Sequence, residues 1–483
     1  MTRPGAAPRV TSRVRVRVMG RNIVKIVIVG GGSFQWVPTL TTDLALTASA
    51  RGAEVVLQDI DAGRVARTAP VVEHVSDLAG ANFRVRTSTD QRAAFQDADF
   101  VIVNITTGGF ESMALDLEIP WRYGIRQPGG DTLGPGGISR ALRNIPVLVG
   151  IARDMEDLCP DAWLLNLTNP MTALCRAVTK TSPIKTVGLC HEVTNFRGFL
   201  ALLTGADWNA IDLSVTGVNH VPVVTAIDLG DGRDGMAFLR DVLDGKIDLD
   251  TDLGFELGDD EHERPGSLGD ARPPRRATKR FLVDEYAAGF ELFRRYGAFV
   301  APGNRHTLEA FPALLAEDAG WGERWNVHYT TIAKRERHEA QYALDLEQRL
   351  ADSDPPRHPS LEMAAPVIDS LITGTPRTFP LNIPNTGQCG DLPLDAVTES
   401  MCIVGGDGVH GKPPVYAPPF LAAWLHRIVS AQELTVDAAL TGDPDLVHAA
   451  MLLDPHAGTL GLATIEQMTS ELIAATSRWL PQF

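Results

Sequence analysis

The sequence predicts an α/β protein in which a doubly wound parallel sheet occupies roughly the first 200 residues. Short apolar, β-branched segments recur along this part of the chain, and buried parallel strands have this composition. Segments with helical spacing separate them, as the crossover connections of a parallel sheet require. After residue 200 the alternation stops, so we expect an α+β domain over residues 201–483, following a nucleotide-type α/β domain over residues 23–200.

The individual elements follow from the same patterns. Strands are predicted at residues 23–29, 54–57, 99–104, 164–166 and 186–189. Helices are predicted at residues 38–50, 141–157 and 171–180. Beyond residue 200, the pattern predicts two antiparallel strands at residues 215–220 and 223–228 and a long helical region at 281–350. A proline-rich connector is predicted at residues 353–393 and C-terminal helices at 394–483.

Two segments stand apart from this pattern. Residues 1–22 contain arginines among Pro, Ala and Val without the apolar stretch of a secretory signal, so we expect a disordered basic extension. Acidic residues are concentrated in residues 241–263 and basic residues in 264–280. This charge-segregated stretch is typical of a surface loop or lid, or of a solvated linker.

Composition excludes several classes of partner. The 483 residues include 44 Lys and Arg against 60 Asp and Glu, a formal charge of −16. Such a surface repels nucleic acid and anionic lipid, so we expect neither as a partner. No apolar run approaches the roughly 18 residues of a membrane span. The five cysteines are scattered and odd in number, which indicates a reducing, cytoplasmic location and not a disulfide framework.

A glycine-rich turn follows the first predicted strand and precedes the first helix. Gly30-Gly31-Gly32-Ser33 would let the backbone approach a pyrophosphate, which the N-terminus of the helix also favours. Gln35 replaces the usual third glycine, but Asp59 ends the next strand, where a carboxylate accepts hydrogen bonds from a ribose and repels the 2′-phosphate of NADP. We therefore predict a Rossmann-type, lactate/malate dehydrogenase-like domain that binds NAD through Gly30, Gly32, Ser33, Phe34, Asp59 and Thr106.

A cysteine and a histidine follow two later apolar strands. Cys190 begins Cys-His-Glu-Val at the expected carboxyl edge of the sheet, and His220 follows Asn219 thirty residues later. A thiolate and an imidazole suit a catalytic divalent metal that takes its other ligands from substrate and water. A lone buried cysteine is more often a small packed hydrophobe, so spacing alone leaves both readings open.

Ordered motifs along residues 24–475 resemble glycoside hydrolase family 4, the NAD- and Mn(II)-dependent glycosidases. The matching stretches are residues 30–33, 59–61, 108–109, 116–120, 130–137, 141–146, 168–170, 190–191, 219–220 and 303–306. The tetrapeptide Cys190-His191-Glu192-Val193 resembles that of the α-galacturonidase branch.

The resemblance implies roles for particular residues. Cys190 and His220 would hold Mn(II), and His191 would be the catalytic acid. Tyr286 would be the base, although Asp284 keeps that assignment open. Substrate would be bound by Asn169, Arg305, His306 and Arg143; Asn304 stands where the family usually has Asp.

The resemblance further implies a redox-neutral reaction on an α-linked uronic acid, an α-galacturonide in the first place. Hydride leaves carbon 3, a proton leaves carbon 2, the aglycone is eliminated, water adds and the hydride returns. The alternatives are an α-glucosidase, α-galactosidase or α-glucuronidase of the same family, or an NAD-dependent hydroxy-acid dehydrogenase. A homodimer or homotetramer is expected by the same resemblance.

Overall fold

The computed structural model describes residues 23–256, 276–327 and 329–483. The predicted extension, residues 1–22, lies outside the described residues, as do residues 257–275 of the charge-segregated stretch. All five cysteines are described, and each is free and buried. In the part of the chain that the structure describes, no helix combines the length and apolarity needed to cross a bilayer.

The predicted fold class, a Rossmann-type parallel sheet with a C-terminal α+β region, is confirmed. The strands are β1 (Lys25–Val29), β2 (Glu54–Gln58), β3 (Arg84–Ser88), β4 (Phe100–Val103), β5 (Trp163–Asn166), β6 (Lys185–Gly188), β7 (Asp212–Val218), β8 (Val221–Asp228), β9 (Asp252–Glu256), β10 (Arg276–Thr278), β11 (Phe299–Val300), β12 (Arg377–Pro384), β13 (Val397–Gly405) and β14 (Gly408–Gly411).

Helices lie between and after these strands. They are α1 (Trp36–Leu46), α2 (Ala62–Ala79), α3 (Gln91–Phe95), α4 (Gly109–Arg122), α5 (Gly134–Leu158), α6 (Met171–Thr181), α7 (Glu192–Thr204), α8 (Gly235–Leu243), α9 (Lys279–Glu285), α10 (Ala287–Tyr296), α11 (Asn304–Ala310), α12 (Ile332–Ala351), α13 (Ala364–Thr373), α14 (Pro419–Thr441), α15 (Pro444–Leu453) and α16 (Leu462–Thr476).

The main sheet has the order β14-β13-β12-β6-β5-β4-β1-β2-β3. Strands β1 to β6 run parallel, and β12 to β14 continue the sheet antiparallel. The chain order reverses between β1 and β4, which is the switch point where ligands of doubly wound sheets bind, outside the carboxyl ends of the strands. A smaller antiparallel sheet, β11-β8-β7, carries the turn with His220.

Both faces of the main sheet are buried. Ile26 and Ile28 pack on one side with α1 and α13, and Val27 and Val29 pack on the other with α5, α14 and α16. This alternation follows from the two-residue period of a strand, and burial on both faces explains why β1 is apolar throughout.

The sheet is not confined to residues 23–200. The proline-rich stretch expected to be a connector contains α13 and β12, and β13 and β14 occupy part of the region expected to be helical. Strand β12 includes two prolines, Pro380 and Pro384, which lie in register with Met401 and Val397 of β13. The chain therefore returns to complete the sheet that its first part began.

Candidate active site

The glycine turn after β1 is held by close backbone packing. A Cβ on Gly30, whose φ is +88°, would lie 1.9 Å from the carbonyl oxygen of Asn104. The Gly32 amide donates to Asp59 Oδ2 at 2.9 Å, so the carboxylate at the end of β2 shapes the turn directly. Helix α1 begins just beyond, and its first amide, that of Trp36, donates to Ser33 Oγ at 3.2 Å. The turn and the positive end of the helix dipole form a surface suited to a pyrophosphate.

Cys190 and His220 come from different sheets. Cys190 follows β6 at the carboxyl edge of the main sheet, and His220 occupies the β7–β8 turn with φ +65°. The amide of Asn219 donates to Thr172 Oγ1 at 3.2 Å, which docks this turn against the start of α6. The Asn219 side chain lies beside the Cys190 thiol. Folding thus brings the two predicted metal ligands to one buried centre.

Histidines and a glutamate complete this centre. The rings of His220 and His306 lie 3.8 Å apart between centroids. Glu192 Oε1 lies 3.8 Å from Nε2 of His191 and 3.9 Å from Nε2 of His306. The Cys-His-Glu tripeptide therefore faces the imidazoles contributed by the β7–β8 turn and by α11.

Burial controls protonation here. It raises the pKa of the Cys190 thiol, and the nearby carboxylates of Glu399 and Glu192 raise it further. It lowers the pKa of His220 to about 3 and that of His306 to about 4. His191 differs, because Nδ1 lies 2.9 Å from Glu362 Oε1 and this hydrogen bond raises the pKa of the imidazole.

Buried polar atoms without a hydrogen-bond partner cluster around Cys190 and His220. They include Asn169 Oδ1, Asn219 Oδ1 and Nδ2, His220 Nδ1, His306 Nδ1, Asn382 Oδ1 and Nδ2, and Glu399 Oε1 and Oε2. Folded proteins pair most such atoms, so a group of them indicates a place for a polar ligand. In the residues described, no set of three or more His, Cys, Asp or Glu is arranged for a metal. A thiol and an imidazole with unpaired polar atoms around them are donors that suit a divalent metal with positions open to substrate and water.

The predicted substrate residues surround the same centre. The carbonyl of Asn169 accepts from Arg140 Nε at 3.0 Å and from Asn144 Nδ2 at 3.1 Å. These two bonds orient Asn169 and leave its side-chain oxygen free. Arg305 Nη1 contacts Thr330 Oγ1 at 3.4 Å, and its guanidinium is near Asp131. Arg305 and Asn169 thus keep polar groups available for a ligand.

Tyr286 lies between α9 and α10 and packs against the aromatic face of α7. Its ring centroid lies 4.4 Å from that of Phe199 and 5.8 Å from that of Phe196. Burial raises the pKa of Tyr286, and Glu192 and Glu285 raise it further. The side chain of Asp284 is exposed. Of the two predicted bases, Tyr286 is the one that packs on the helix following Cys190.

Known proteins share this architecture. The family 4 glycosyl hydrolase profile matches residues 25–205, and the C-terminal domain profile of the same family matches residues 215–457. The chain belongs to glycosyl hydrolase family 4. The resemblance seen in its motifs is therefore confirmed.

Relatives within family 4 carry more than one activity name. An alpha-galactosidase of Bacillus subtilis is 32% identical, over 95% of this chain and 99% of that protein. An alpha-galacturonidase of Thermoanaerobacterium saccharolyticum is 30% identical, over 95% and 96%. The crystal structure of Bacillus subtilis lplD has a TM-score of 0.80 at 28% identity, covering 93% of this chain and 99% of that one.

A more distant family 4 structure agrees in fold. A 6-phospho-alpha-glucosidase from gut microorganisms, solved in complex with NAD and Mn2+, has a TM-score of 0.78 at 20% identity and covers 95% of this chain and all of that one. At this identity the likeness shows the fold alone.

Two residues of the predicted site have other partners in the structure of this family 4 enzyme. The ring of Phe34 is buried, and the guanidinium groups of Arg64 and Arg67 on α2 contact it at 4.0 and 4.6 Å from its centroid. Arg143 is 1% exposed and binds Asp116 through both terminal nitrogens, at 2.9 and 2.6 Å. The guanidinium of Arg143 is thus occupied by a buried carboxylate in this structure.

Other site residues were absent from the predicted set. Asn304 is structural, because its Nδ2 donates to the carbonyl of Asp284 at 2.5 Å and its Oδ1 accepts from the Ala288 amide at 2.9 Å. It therefore fixes the segment that carries Tyr286. Glu362 and Arg140 also contact predicted site residues. Arg140 lies three residues before Arg143 on α5, a spacing that could have identified it, whereas Glu362 has no local sequence signal.

Proposed function

We propose that this enzyme hydrolyses α-linked uronic acids, α-galacturonides in the first place, with NAD and Mn(II) as cofactors and without net oxidation. The observation that supports the proposal is the centre formed by buried Cys190, His220 and His306, with partly exposed His191 next to it and unpaired polar atoms around it. Cys190 and the glycine turn both follow strands at the carboxyl edge of the main sheet. When bound, NAD supplies a reversible hydride acceptor and Mn(II) a Lewis acid. Neither is required by ordinary two-carboxylate glycosidases, and family 4 is an exception to that mechanism.

The residues of the glycine turn account for the nucleotide. Gly30, Gly32 and Ser33 would lie along the pyrophosphate, and Asp59 would accept hydrogen bonds from the ribose. Thr106 is exposed after β4, on the other side of the switch point. Ile60 is 93% exposed beside Asp59, where an adenine ring would cover it.

Cys190 and His220 would hold the metal, and Asn169, Arg305 and His306 would bind the sugar. His191 would donate a proton to the oxygen of the leaving group, since Glu362 stabilises its protonated form. Tyr286 would remove the proton at carbon 2. Because burial favours the neutral phenol, this step needs positive charge nearby when substrate is bound. Arg143 would act at a distance by fixing Asp116 and the loop at Thr107, whose carbonyl it contacts.

Two other candidates are favoured by particular observations. A neutral α-galactoside is the substrate suggested by the name of the Bacillus subtilis relative. An NAD-dependent hydroxy-acid dehydrogenase shares the main sheet: a lactate dehydrogenase has a TM-score of 0.51 at 15% identity, covering 87% of this chain and 98% of that one. The dehydrogenase would not need the Cys190–His220 pair.

One comparative assay separates these functions. The p-nitrophenyl α-galacturonide, α-glucuronide, α-galactoside and α-glucoside are each supplied with Mn(II), NAD and a thiol reductant. We expect fastest release of nitrophenol from the galacturonide, with no accumulation of NADH. Faster cleavage of the galactoside would replace the uronide assignment and keep the glycosidase. Steady NADH formation from a hydroxy acid, without glycoside cleavage, would overturn both the uronide assignment and the glycosidase function.

A further inference from the structure

Helix α12 connects the candidate substrate site to the glycine turn. At its start, the Thr330 amide donates to the carbonyl of Pro128 at 2.8 Å, and Thr330 Oγ1 accepts from Arg305. Pro128 precedes the glycine-rich loop that carries Asp131. The first turn of α12 therefore lies against residues already placed at the substrate site.

The middle of α12 is fixed at the nucleotide side. Glu339 Oε1 accepts from Arg64 Nη2 at 2.5 Å, and Arg64 Nε donates to the Gly32 carbonyl at 3.0 Å. Leu346 is buried in the apolar cluster of α1 and α2. Arg335 precedes Glu339 by four residues and so lies on the same helix face. Its side chain is partly buried.

Arg335 belongs to a cluster of three guanidinium groups, those of Arg140, Arg305 and Arg335, around the single carboxylate of Asp131. Burial lowers the pKa of Arg335, and the charges of Arg305 and Arg140 lower it further, while Asp131 opposes them. Burial likewise lowers the pKa of Arg140. Within the described residues, Arg335 forms no salt bridge.

The other nearby carboxylates are engaged elsewhere. Glu192 contacts the imidazoles of His191 and His306, and Glu309 accepts from the Gly130 amide and lies 3.9 Å from His306. Both also interact electrostatically with Arg305. Asp131 is thus shared by three guanidinium groups, and among the described residues Arg335 has no salt-bridge partner of its own, although the whole chain carries −16. A half-buried cation without its own partner is costly unless a ligand anion compensates it.

We propose that Arg335 determines specificity by binding the sugar carboxylate of the uronide, together with Arg140 and Arg305. The inference rests on the proposed function and adds residues from two helices that sequence reasoning did not select. A planar guanidinium suits a carboxylate because it can donate two parallel hydrogen bonds. The pyrophosphate of NAD is the other anion that could approach α12, and the experiment separates the two.

The test compares Arg335→Gln and Arg335→Lys with a matched control, Arg337→Gln, which removes the same charge from an exposed position of α12. For each NAD- and Mn(II)-loaded protein, kcat/KM is measured on p-nitrophenyl α-galacturonide and α-galactoside. Dissociation constants for D-galacturonate, D-galactose and NAD are measured by calorimetry. Circular dichroism and thermal unfolding verify the fold.

We expect Arg335→Gln to lower kcat/KM for the galacturonide about 10- to 100-fold and to weaken galacturonate binding by a similar factor. This is the effect expected from the loss of a charge-assisted hydrogen bond. The galactoside and NAD values should change less than about threefold. The lysine variant should recover part of the loss, and Arg337→Gln should resemble the wild type.

Equal losses on both glycosides, or unchanged galacturonate binding, would overturn the role of Arg335. Weakened NAD binding alone would assign Arg335 to the pyrophosphate instead. A wild type that prefers the galactoside would refute the uronide function. Galacturonate binding by the variants would then still decide whether Arg335 binds a carboxylate.

Discussion

The imidazole rings of His220 and His306 stack at 3.8 Å, tilted by 32°, in the buried centre beside Cys190. Burial lowers the pKa of both rings far below neutrality, to about 3 and about 4, so both are neutral at pH 7. A neutral imidazole has the lone pair that a metal ligand needs. The Cys190 thiol, by contrast, is not in the form that binds a metal, because burial raises its pKa and keeps it protonated.

Binding of Mn(II) should therefore release one proton, and it should come from Cys190. The thiol has a raised pKa, so below that pKa the thiolate fraction, and with it the apparent metal affinity, should rise about tenfold per pH unit. Calorimetric titrations in two buffers of different ionisation enthalpy count the proton.

Cys190→Ser should abolish metal binding and activity, and retain the fold and NAD affinity. Cys175→Ser, at another buried free cysteine, is the control. More than a tenth of wild-type turnover in Cys190→Ser would exclude the metal role.

The stacked pair also predicts two different outcomes at His306. Replacement by Ala removes the ring that supports His220, and loss of such a support typically weakens metal binding about 10- to 100-fold. Replacement by Phe keeps a ring but removes the nitrogens, so metal affinity should remain within about threefold while KM for the glycoside rises. Metal affinity by electron paramagnetic resonance and KM by nitrophenol release check these outcomes. Equal metal affinity in both variants would show that the ring does not support His220.

The sequence alone predicted the glycine turn and the carboxylate at the end of β2, because short-range backbone geometry creates both. The turn at Gly30–Gly32 and the position of Asp59 follow from strand ends and backbone approach, both encoded within a few residues. Phe34 was predicted from its adjacency to the turn, which does not say which way its side chain points. The guanidinium groups of Arg64 and Arg67 contact its ring, and only the docking of α2 brings them there.

Contacts between distant segments were beyond a single sequence. Arg143 on α5 pairs with Asp116 on α4. The spacing of residues along α5 does not reveal whether Arg143 binds a side chain of another helix or a ligand. Glu362 reaches His191 from a stretch whose prolines indicated only a connector. Strands β12–β14 return to the sheet from almost 200 residues away, because their pairing partners, and not their own composition, make them strands.

Asp59 should select the nucleotide. Its Oδ2 already accepts the Gly32 amide, so Asp59→Ala removes a support of the turn as well as the acceptor for the ribose. We expect NAD to bind about 10- to 100-fold more weakly and the NADP-to-NAD affinity ratio to rise. Asp61→Ala is the control, since Asp61 caps α2 by accepting the Arg64 amide and should mainly affect stability. Unchanged NAD binding in Asp59→Ala, measured by calorimetry, would transfer ribose recognition to another group.

The His191–Glu362 contact predicts a directional change in the pH profile. The hydrogen bond to Glu362 raises the pKa of His191, so the protonated acid persists to higher pH in the native enzyme. Glu362→Gln removes that stabilisation, and the alkaline limb of kcat should move to lower pH while KM changes little. Asp354→Asn, at an exposed carboxylate of the same segment, should leave the profile unchanged. An unshifted limb in Glu362→Gln would mean that another group is the acid.

The last prediction concerns Arg143, for which a ligand role and a structural role give opposite outcomes. The side chains of Arg143 and Asp116 are each 1% exposed and share two hydrogen bonds, and Ser139 Oγ accepts a third from Arg143 at 2.9 Å. Arg143→Met leaves Asp116 buried without its cation, which should destabilise the fold by about 3–5 kcal/mol.

The double variant Arg143→Met with Asp116→Leu should regain much of that stability, because no unpaired charge remains and apolar pairs often replace buried ion pairs without loss. Urea unfolding of the wild type, both single variants and the double variant measures the coupling between the two side chains. If Arg143 instead bound substrate, Arg143→Met would unfold like the wild type and show only a raised KM. Recovery of stability in the double variant, with activity still impaired, would place Arg143 as a positioning residue for the loop at Thr107.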